Sequence, residues 1–331
     1  MKKKIFLTGS EGFLGSHLLE LLINKNYNVK ALVQYNSFNN IGWLNSIDPK
    51  ILKEVEIIFG DVRDKEFLEN SLKNCSTIIH LAALIGIPYS YNAARSYVDT
   101  NISGTLNLLE VAKKKNIERF IHTSTSEVYG SALFVPMNEN HPINPQSPYA
   151  ATKSSADKIA MSYFYSFNMP ITILRPFNIF GPRQSSRAVI PTIINQIKNS
   201  SSKIFLGSQT TTRDFTFVSD TALAFENALK AKKINGEIIN IGSNFEVSIE
   251  KIANLVNKIF NKDLRIILDP KRLRPEKSEV SRLLASNLKA KKLLRWKPKY
   301  VKIDGFKRAL EITCKWFANS SSKNNYKKYI L

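Results

Sequence analysis

Tyr149 and Lys153 are four residues apart, a spacing that puts both side chains on one face of a helix. An ammonium beside a phenol lowers the phenol's pKa. A tyrosinate available near neutral pH can take the proton of an alcohol while hydride leaves the same carbon. Pro148, just ahead of the tyrosine, suits the first turn of that helix. Upstream, residues 123–130 read Thr-Ser-Thr-Ser-Glu-Val-Tyr-Gly. Serine and threonine gather at caps and turns, but a hydroxyl and a carboxylate at the end of a central strand also suit a reaction centre. A third group is Gly9-Ser10-Glu11-Gly12-Phe13-Leu14-Gly15. Glycines let a backbone turn tightly and approach a pyrophosphate, and a helix that starts there offers its amides to the anion.

These groups need a frame. Short apolar runs at 5–8, 29–33, 56–59, 77–81, 120–123 and 171–174 read as strands. Helical periodicity at 13–23, 64–73, 97–115 and 149–167 falls between them. Such alternation builds an α/β, doubly wound parallel sheet of the Rossmann type. The glycine group then joins the first strand to the first helix, and Thr123 ends the fifth strand, on the edge where open parallel sheets carry ligands. Beyond 174 the pattern loosens. Short strands at 203–206, 215–218, 238–241 and 265–268 mix with helices at 221–230 and 248–260, which suits a smaller C-terminal α/β lobe. The organisation expected is a dinucleotide-binding domain over 1–175, a mainly substrate-binding lobe over 176–318 with some segments returning to the first domain, and a polar tail over 319–331.

The composition, 43% hydrophobic and 23% charged over 331 residues, is that of a packed globular protein. No apolar run reaches the length of a membrane helix, and the run after Lys2-Lys3-Lys4 ends too soon for a signal peptide. Cys75 and Cys314 form no metal-binding spacing, so neither disulfide nor metal is expected, and a reducing cytoplasm fits. The net charge of +21 has three readings: a groove for a diphosphate, a face for polynucleotide, or solvated lysine. The basic residues are densest after about Lys262 and are mixed with acids, so solvated surface with a few phosphate-binding arginines is favoured. Neither nucleic acid nor membrane is an expected partner.

The Gly-x-x-Gly-x-x-Gly spacing, together with Gly60-Asp61-Val62, His80-Leu81-Ala82-Ala83 and the Tyr-Lys pair, resembles the extended short-chain dehydrogenase/reductases of the NAD-dependent epimerase/dehydratase type. The resemblance runs from Lys4 to about Phe317. It implies a dinucleotide held by Gly9, Gly12, Phe13, Leu14, Gly15, Gln34, Asp61, Val62, Leu81, Ala82, Ala83 and Thr123, with Tyr149 and Lys153 at its reactive end. In that family the Asp-Val pair contacts adenine and the Leu-Ala-Ala segment lines the dinucleotide. His80 reads as a packed residue at a strand end. One departure stands out. An acid is expected some 20 residues past the glycines, on the ribose 2′-hydroxyl, where this chain has Gln34. Gln34 can bond a hydroxyl but does not repel a 2′-phosphate, and no arginine is near it in sequence. NAD is favoured, and NADP stays open.

Thr125-Ser126-Glu127 is similar to the Thr-Asp/Ser-Glu signature of nucleotide-sugar 4,6-dehydratases. The catalytic set this implies is Thr125, Ser126, Glu127, Tyr149 and Lys153, with Glu127 as the base at C5. Strings at 84–91, 96–101 and 274–280 are similar to the N-acetylglucosamine nucleotide dehydratases that feed legionaminic acid and related surface polysaccharide sugars. The substrate implied is UDP- or GDP-N-acetylglucosamine. Asn178, Arg187, Arg213 and Arg274 are the implied diphosphate contacts, with Glu279 on a ribose hydroxyl and Ile87 in a loop, 85–91, walling the sugar. Arg175 and Arg183 read as structural. Asn101 either shapes the helix behind the Tyr-Lys pair or satisfies a buried backbone group. A homodimer, through the helices at 97–115 and 149–167, follows by analogy only. The rivals are a UDP-glucuronate decarboxylase, which needs a spare arginine for a carboxylate, a nucleotide-sugar 4-epimerase, and a non-catalytic dinucleotide-binding regulator.

Overall fold

The computed structural model describes residues 4–319. Most of the expected polar tail lies outside the described residues; Asn319 itself closes the last helix. The first lobe runs β1 (Lys4–Thr8), α1 (Phe13–Asn24), β2 (Asn28–Gln34), α2 (Pro49–Leu52), β3 (Val55–Gly60), α3 (Lys65–Ser71) and β4 (Cys75–His80). It continues through α4 (Ile87–Asn92), α5 (Ala94–Tyr97), a π-helical stretch Val98–Ser103, α6 (Gly104–Lys114) and β5 (Arg119–Thr123). A 3-10 turn, Ser126–Tyr129, precedes α7 (Pro148–Phe167) and β6 (Ile171–Pro176). Then come β7 (Asn178–Phe180), α8 (Val189–Asn199), β8 (Lys203–Leu206), β9 (Thr212–Phe217), α9 (Val218–Lys230) and β10 (Ile238–Ile241). The chain closes with β11 (Glu246–Ser248), α10 (Ile249–Ile259), β12 (Arg265–Leu268), β13 (Arg282–Leu283), α11 (Leu288–Leu294) and α12 (Lys302–Asn319).

Seven parallel strands form the main sheet in the order β10-β6-β5-β4-β1-β2-β3. Side chains alternate across it with the period of a strand. Ile5 and Leu7 enter one core with α1 and α9, while Phe6 enters the opposite core with α6 and α7. Val29, Ala31 and Val33 go to the first core and Leu32 to the second. Burial on both faces explains why these strands read as unbroken apolar runs. The order reverses between β1 and β4, which opens a crevice at their carboxyl ends. β10, which reads from sequence as part of the small lobe, pairs with β6 and completes the main sheet. The second lobe has its own core of α8, α10 and α12 around β8, β9 and β12.

The structure corrects three expectations. The segment 85–91 is not a loop: Ile87–Asn92 is a helix, with Pro88 in its first turn. The helix over 97–115 is broken by the π-helical stretch, because Asn101 turns inward and bonds both backbone groups of Leu84. Val218 opens α9 instead of ending a strand. No helix among the described residues is long and apolar enough to cross a membrane.

Candidate active site

The turn after β1 is shaped by close approach. Gly9 has φ +67, and a Cβ there would sit 2.8 Å from the Ala82 nitrogen on the end of β4. A Cβ on Gly15 would sit 2.0 Å from the Gly9 carbonyl oxygen, so α1 packs on the turn only because residue 15 has no side chain. Gly12 caps α1 with no side-chain hydrogen bond. The first-turn amides, Phe13 and Leu14 among them, are therefore left for an external acceptor at the positive end of the helix. Thr8 Oγ1 accepts the amides of Leu81 and Ala82 at 3.2 and 3.1 Å and hydrogen-bonds His80 Nδ1 at 2.8 Å. His80 Nε2 meets Thr105 at 3.1 Å. Burial, then His122 and Lys153, hold the His80 ring well below the usual imidazole range. His80 is thus a neutral packing residue that ties β4 to β1.

The other end of the crevice is built on α7. Tyr149, Lys153 and Asp157 follow one another at i, i+4 and i+8 and are all buried. Ser147 caps the helix by accepting the Ala150 amide at 3.1 Å. Burial pushes the Tyr149 phenol above its usual range, a hydrogen bond with Thr125 opposes that, and Glu127 and Tyr97 push it higher. The phenol is therefore raised, not lowered as its spacing from Lys153 suggests. Burial likewise brings the Lys153 ammonium down to about 8, against the Asp157 carboxylate, which raises it. Behind them Asp157 accepts from Ser124 Oγ at 2.6 Å and Arg175 Nη2 at 2.8 Å, and His122 Nε2 lies 3.4 Å from it. Burial alone would raise this carboxyl, but His122, Arg175 and Ser124 hold it down to about 2. Asp157, His122 and Ser124 are not among the expected site residues. The repeat of the four-residue spacing from Lys153 to Asp157 was the available signal.

Thr125 serves two ends. It caps the 3-10 turn, accepting the Glu127 amide at 3.3 Å, and it hydrogen-bonds Tyr149. Glu127 is 8% exposed and Ser126 is buried beside it. Arg274 Nη1 lies 3.7 Å from Glu127 Oε2. Arg213 sits in the field of both and pairs with Glu279 at 3.2 Å. The three expected substrate-side charges other than Arg187 thus gather about the signature carboxylate. Arg187 is exposed and acts electrostatically on Tyr97, whose ring meets Tyr149 edge-on. Ile87 packs with Tyr97 and Tyr149, so it reaches the site from a helix. Asn101 Nδ2 donates to Thr152 at 3.1 Å as well as to Leu84, so it satisfies backbone and backs the Tyr-Lys turn at once. Arg175 and Arg183 are tied into the fold, on Asp157 and on Glu20.

At the far end Asp61 is held by Arg63 through two side-chain bonds, 2.9 and 2.7 Å, and Val62 packs against Gly104. The Gln34 side chain bonds Asp61, while its backbone N–H donates to Glu11 Oε1 at 2.9 Å. Buried polar atoms normally have partners. Along this crevice Glu11 Oε2, Thr123 Oγ1, Asn178 Oδ1 and Arg274 Nη1 make no hydrogen bond within the protein. With the uncapped helix, these atoms fit an elongated, hydroxyl-rich anion such as a dinucleotide beside a second ligand.

The family model for GDP-mannose 4,6 dehydratase matches residues 6–308. A dTDP-D-glucose 4,6-dehydratase of Dictyostelium discoideum is 34% identical over 277 residues, 78% of this chain; the chain spans 62% of that protein's length. A putative UDP-glucose 4-epimerase of Methanocaldococcus jannaschii is 33% identical over 96% of this chain and 99% of its own. The structure of a UDP-glucuronic acid 4-epimerase from Bacillus cereus, in complex with UDP-glucuronic acid and NAD, superposes with a TM-score of 0.84. It is 31% identical over 95% of this chain and 99% of that one.

Proposed function

Because the chain belongs to the NAD-dependent epimerase/dehydratase family of extended short-chain dehydrogenase/reductases, we propose that this nucleotide-sugar enzyme is a 4,6-dehydratase acting on UDP- or GDP-N-acetylglucosamine. The observation that carries the reading is Glu127, a carboxylate buried two residues from Thr125, which hydrogen-bonds Tyr149, and so placed to take the proton of the carbon next to the oxidised one.

The residues from Gly9 to Ala83 and Thr123 would hold NAD, which would supply a hydride acceptor for C4 and a donor for C6. Tyr149 takes the proton of the C4 hydroxyl, and Thr125 bonds the same oxygen. Lys153 would hold the nicotinamide ribose and keep a positive charge beside the phenol. The C4 ketone acidifies C5–H, and Glu127 removes that proton. The C6 hydroxyl leaves and takes a proton back from Glu127, directly or through a water, so the step releases one water and leaves Glu127 ionised. Ser126 has no acidic proton to offer and serves as a polar wall. Arg274 stands 3.7 Å from Glu127, and Arg213, Arg187 and Asn178 receive the diphosphate, with Glu279 on the nucleoside ribose.

A second reading has one observation in its favour. A cation 3.7 Å from Glu127 is where a uronate carboxylate would be met, which suits a 4-epimerase or decarboxylase of a glucuronate donor. Purified protein incubated with UDP-N-acetylglucosamine, GDP-N-acetylglucosamine and UDP-glucuronate separates these. Loss of one water from an N-acetylglucosamine donor, without net NADH, is the expected result. Loss of carbon dioxide, or an isomer of unchanged mass, sinks the dehydratase.

We also infer a homodimer in the cytoplasm. α7 leaves Tyr165 76% and Phe167 50% exposed, and α6 lies beside it, a surface suited to a second copy. Light scattering on the eluting protein tests the assembly, with monomer mass as the contrary result.

A further inference from the structure

The residue that should take the adenosine ribose is missing from the end of β2, and the structure shows what stands in its place. A cleft of about 300 Å3 opens at the carboxyl end of β2, lined among others by Glu11, Gln34, Tyr35, Asn36 and Asn40. The Gln34 amide side chain is directed to Asp61. Glu11, from the glycine turn, reaches across instead. Its Oε1 accepts the Gln34 backbone N–H at 2.9 Å, and its Oε2 has no hydrogen-bond partner. The backbone pins its position from the other side, since the Trp43 amide donates to the Glu11 carbonyl oxygen at 3.0 Å. None of the lining residues is basic. Arg63, which does not line the cleft, is committed to Asp61 through two bonds.

We propose that Glu11 is the specificity residue of the cofactor site: its carboxylate receives a ribose hydroxyl through Oε2 and turns away a 2′-phosphate, so that the chain selects NAD over NADP from the glycine turn and not from β2. The inference rests on the dinucleotide reading of the crevice. A carboxylate with one oxygen already bonded to a backbone amide is fixed in place, and its other oxygen can only accept. A hydroxyl satisfies it. A phosphate dianion offers no proton and brings like charge against it. Burial, the first influence on this carboxyl, raises its pKa, as expected for a charge kept from water until a donor arrives.

The test is equilibrium binding of NAD and NADP, and of 5′-ADP and 2′,5′-ADP, to protein stripped of bound nucleotide. Wild type and Glu11→Gln are compared by calorimetry. Glutamine keeps an acceptor for the Gln34 N–H, so the turn survives, but it removes the charge. Wild type is expected to favour NAD and 5′-ADP, and Glu11→Gln to narrow both preferences by about tenfold or more. An unchanged ratio in Glu11→Gln, with circular dichroism showing a native fold, overturns the proposal, as does a wild-type preference for NADP. Wild type that binds none of the four ligands overturns the dinucleotide reading itself.

Discussion

Two buried carboxylates show how differently the two sides of the crevice are built. Asp157, behind Lys153, is ringed by Arg175, His122 and Ser124 and is held down to about 2. Asp214, on β9, is equally buried but meets only neutral donors, Ser243, Asn244 and the Ala285 amide, and burial raises it to about 6. The α7 side carries a buried ionic cluster in which Asp157 accepts from Arg175 and Ser124, while Asp157 Oδ1, Arg175 Nε and both His122 ring nitrogens have no hydrogen-bond partner within the protein. On the other side the charges stand against one another at longer range, Arg274 at 3.7 Å from Glu127 and Arg213 at 3.2 Å from Glu279. The first arrangement fixes a reaction centre. In the second, Arg213 is bonded to Glu279 and to the Thr212 and Ser281 carbonyl oxygens, while Arg274 Nη1 has no hydrogen bond within the protein.

The contrast yields graded expectations. Tyr149→Phe should suffer most, a loss toward the upper end of roughly a hundred- to ten-thousandfold in turnover, with nucleotide binding kept. Glu127→Gln should lose roughly a hundredfold or more in product, while still exchanging hydride at C4. Retained dehydration in Glu127→Gln would take the carboxylate out of the reaction. Asp157→Asn breaks the buried cluster and leaves Arg175 buried with half a partner. Urea unfolding should show a loss of about 3–5 kcal/mol. Arg274→Met should do the opposite: KM rises about tenfold or more, while stability stays within about 0.5 kcal/mol of wild type. If Arg274→Met unfolds as easily as Asp157→Asn, the two sides are not built differently.

The smallest effects are in pH. Lys153 at about 8 predicts that kcat/KM falls as pH rises through that value, because the ammonium is lost; a flat profile there would contradict it. For stability the signs oppose. Asp157 is depressed below its unfolded value, so its contribution is present above that value and is lost as pH falls toward about 2. Asp214 is raised, so its contribution is present below its unfolded value and fades as pH rises toward about 6.

What could be read from sequence follows the same division. The glycine turn, the Leu81-Ala82-Ala83 segment and the Tyr149–Lys153 face are local patterns, and each fold element they need is adjacent in the chain. Asp157 carries a local signal too, but its partners His122, Ser124 and Arg175 come from two strands that only the sheet brings beside α7. The pairing of Arg274 with Glu127 joins residues 147 apart in the chain by way of the small lobe, and no spacing announces it. The π-helical stretch hides from periodicity because one inserted residue leaves the apolar pattern on either side intact. α8 carries Ile190, Ile193, Ile194 and Ile197 on one face, a helical spacing that has no place in the expected elements and whose β-branched residues weaken the helical signal. Glu11 was passed over because it stands inside a motif read for its glycines.

The account turns on where hydride goes after Glu127 has acted. N-acetylglucosamine donor labelled with deuterium at C4 should give a product lighter by one water with the deuterium at C6. A product of unchanged mass, with the deuterium back at C4, would mean that the sugar is epimerised and that Glu127 is not the base of an elimination.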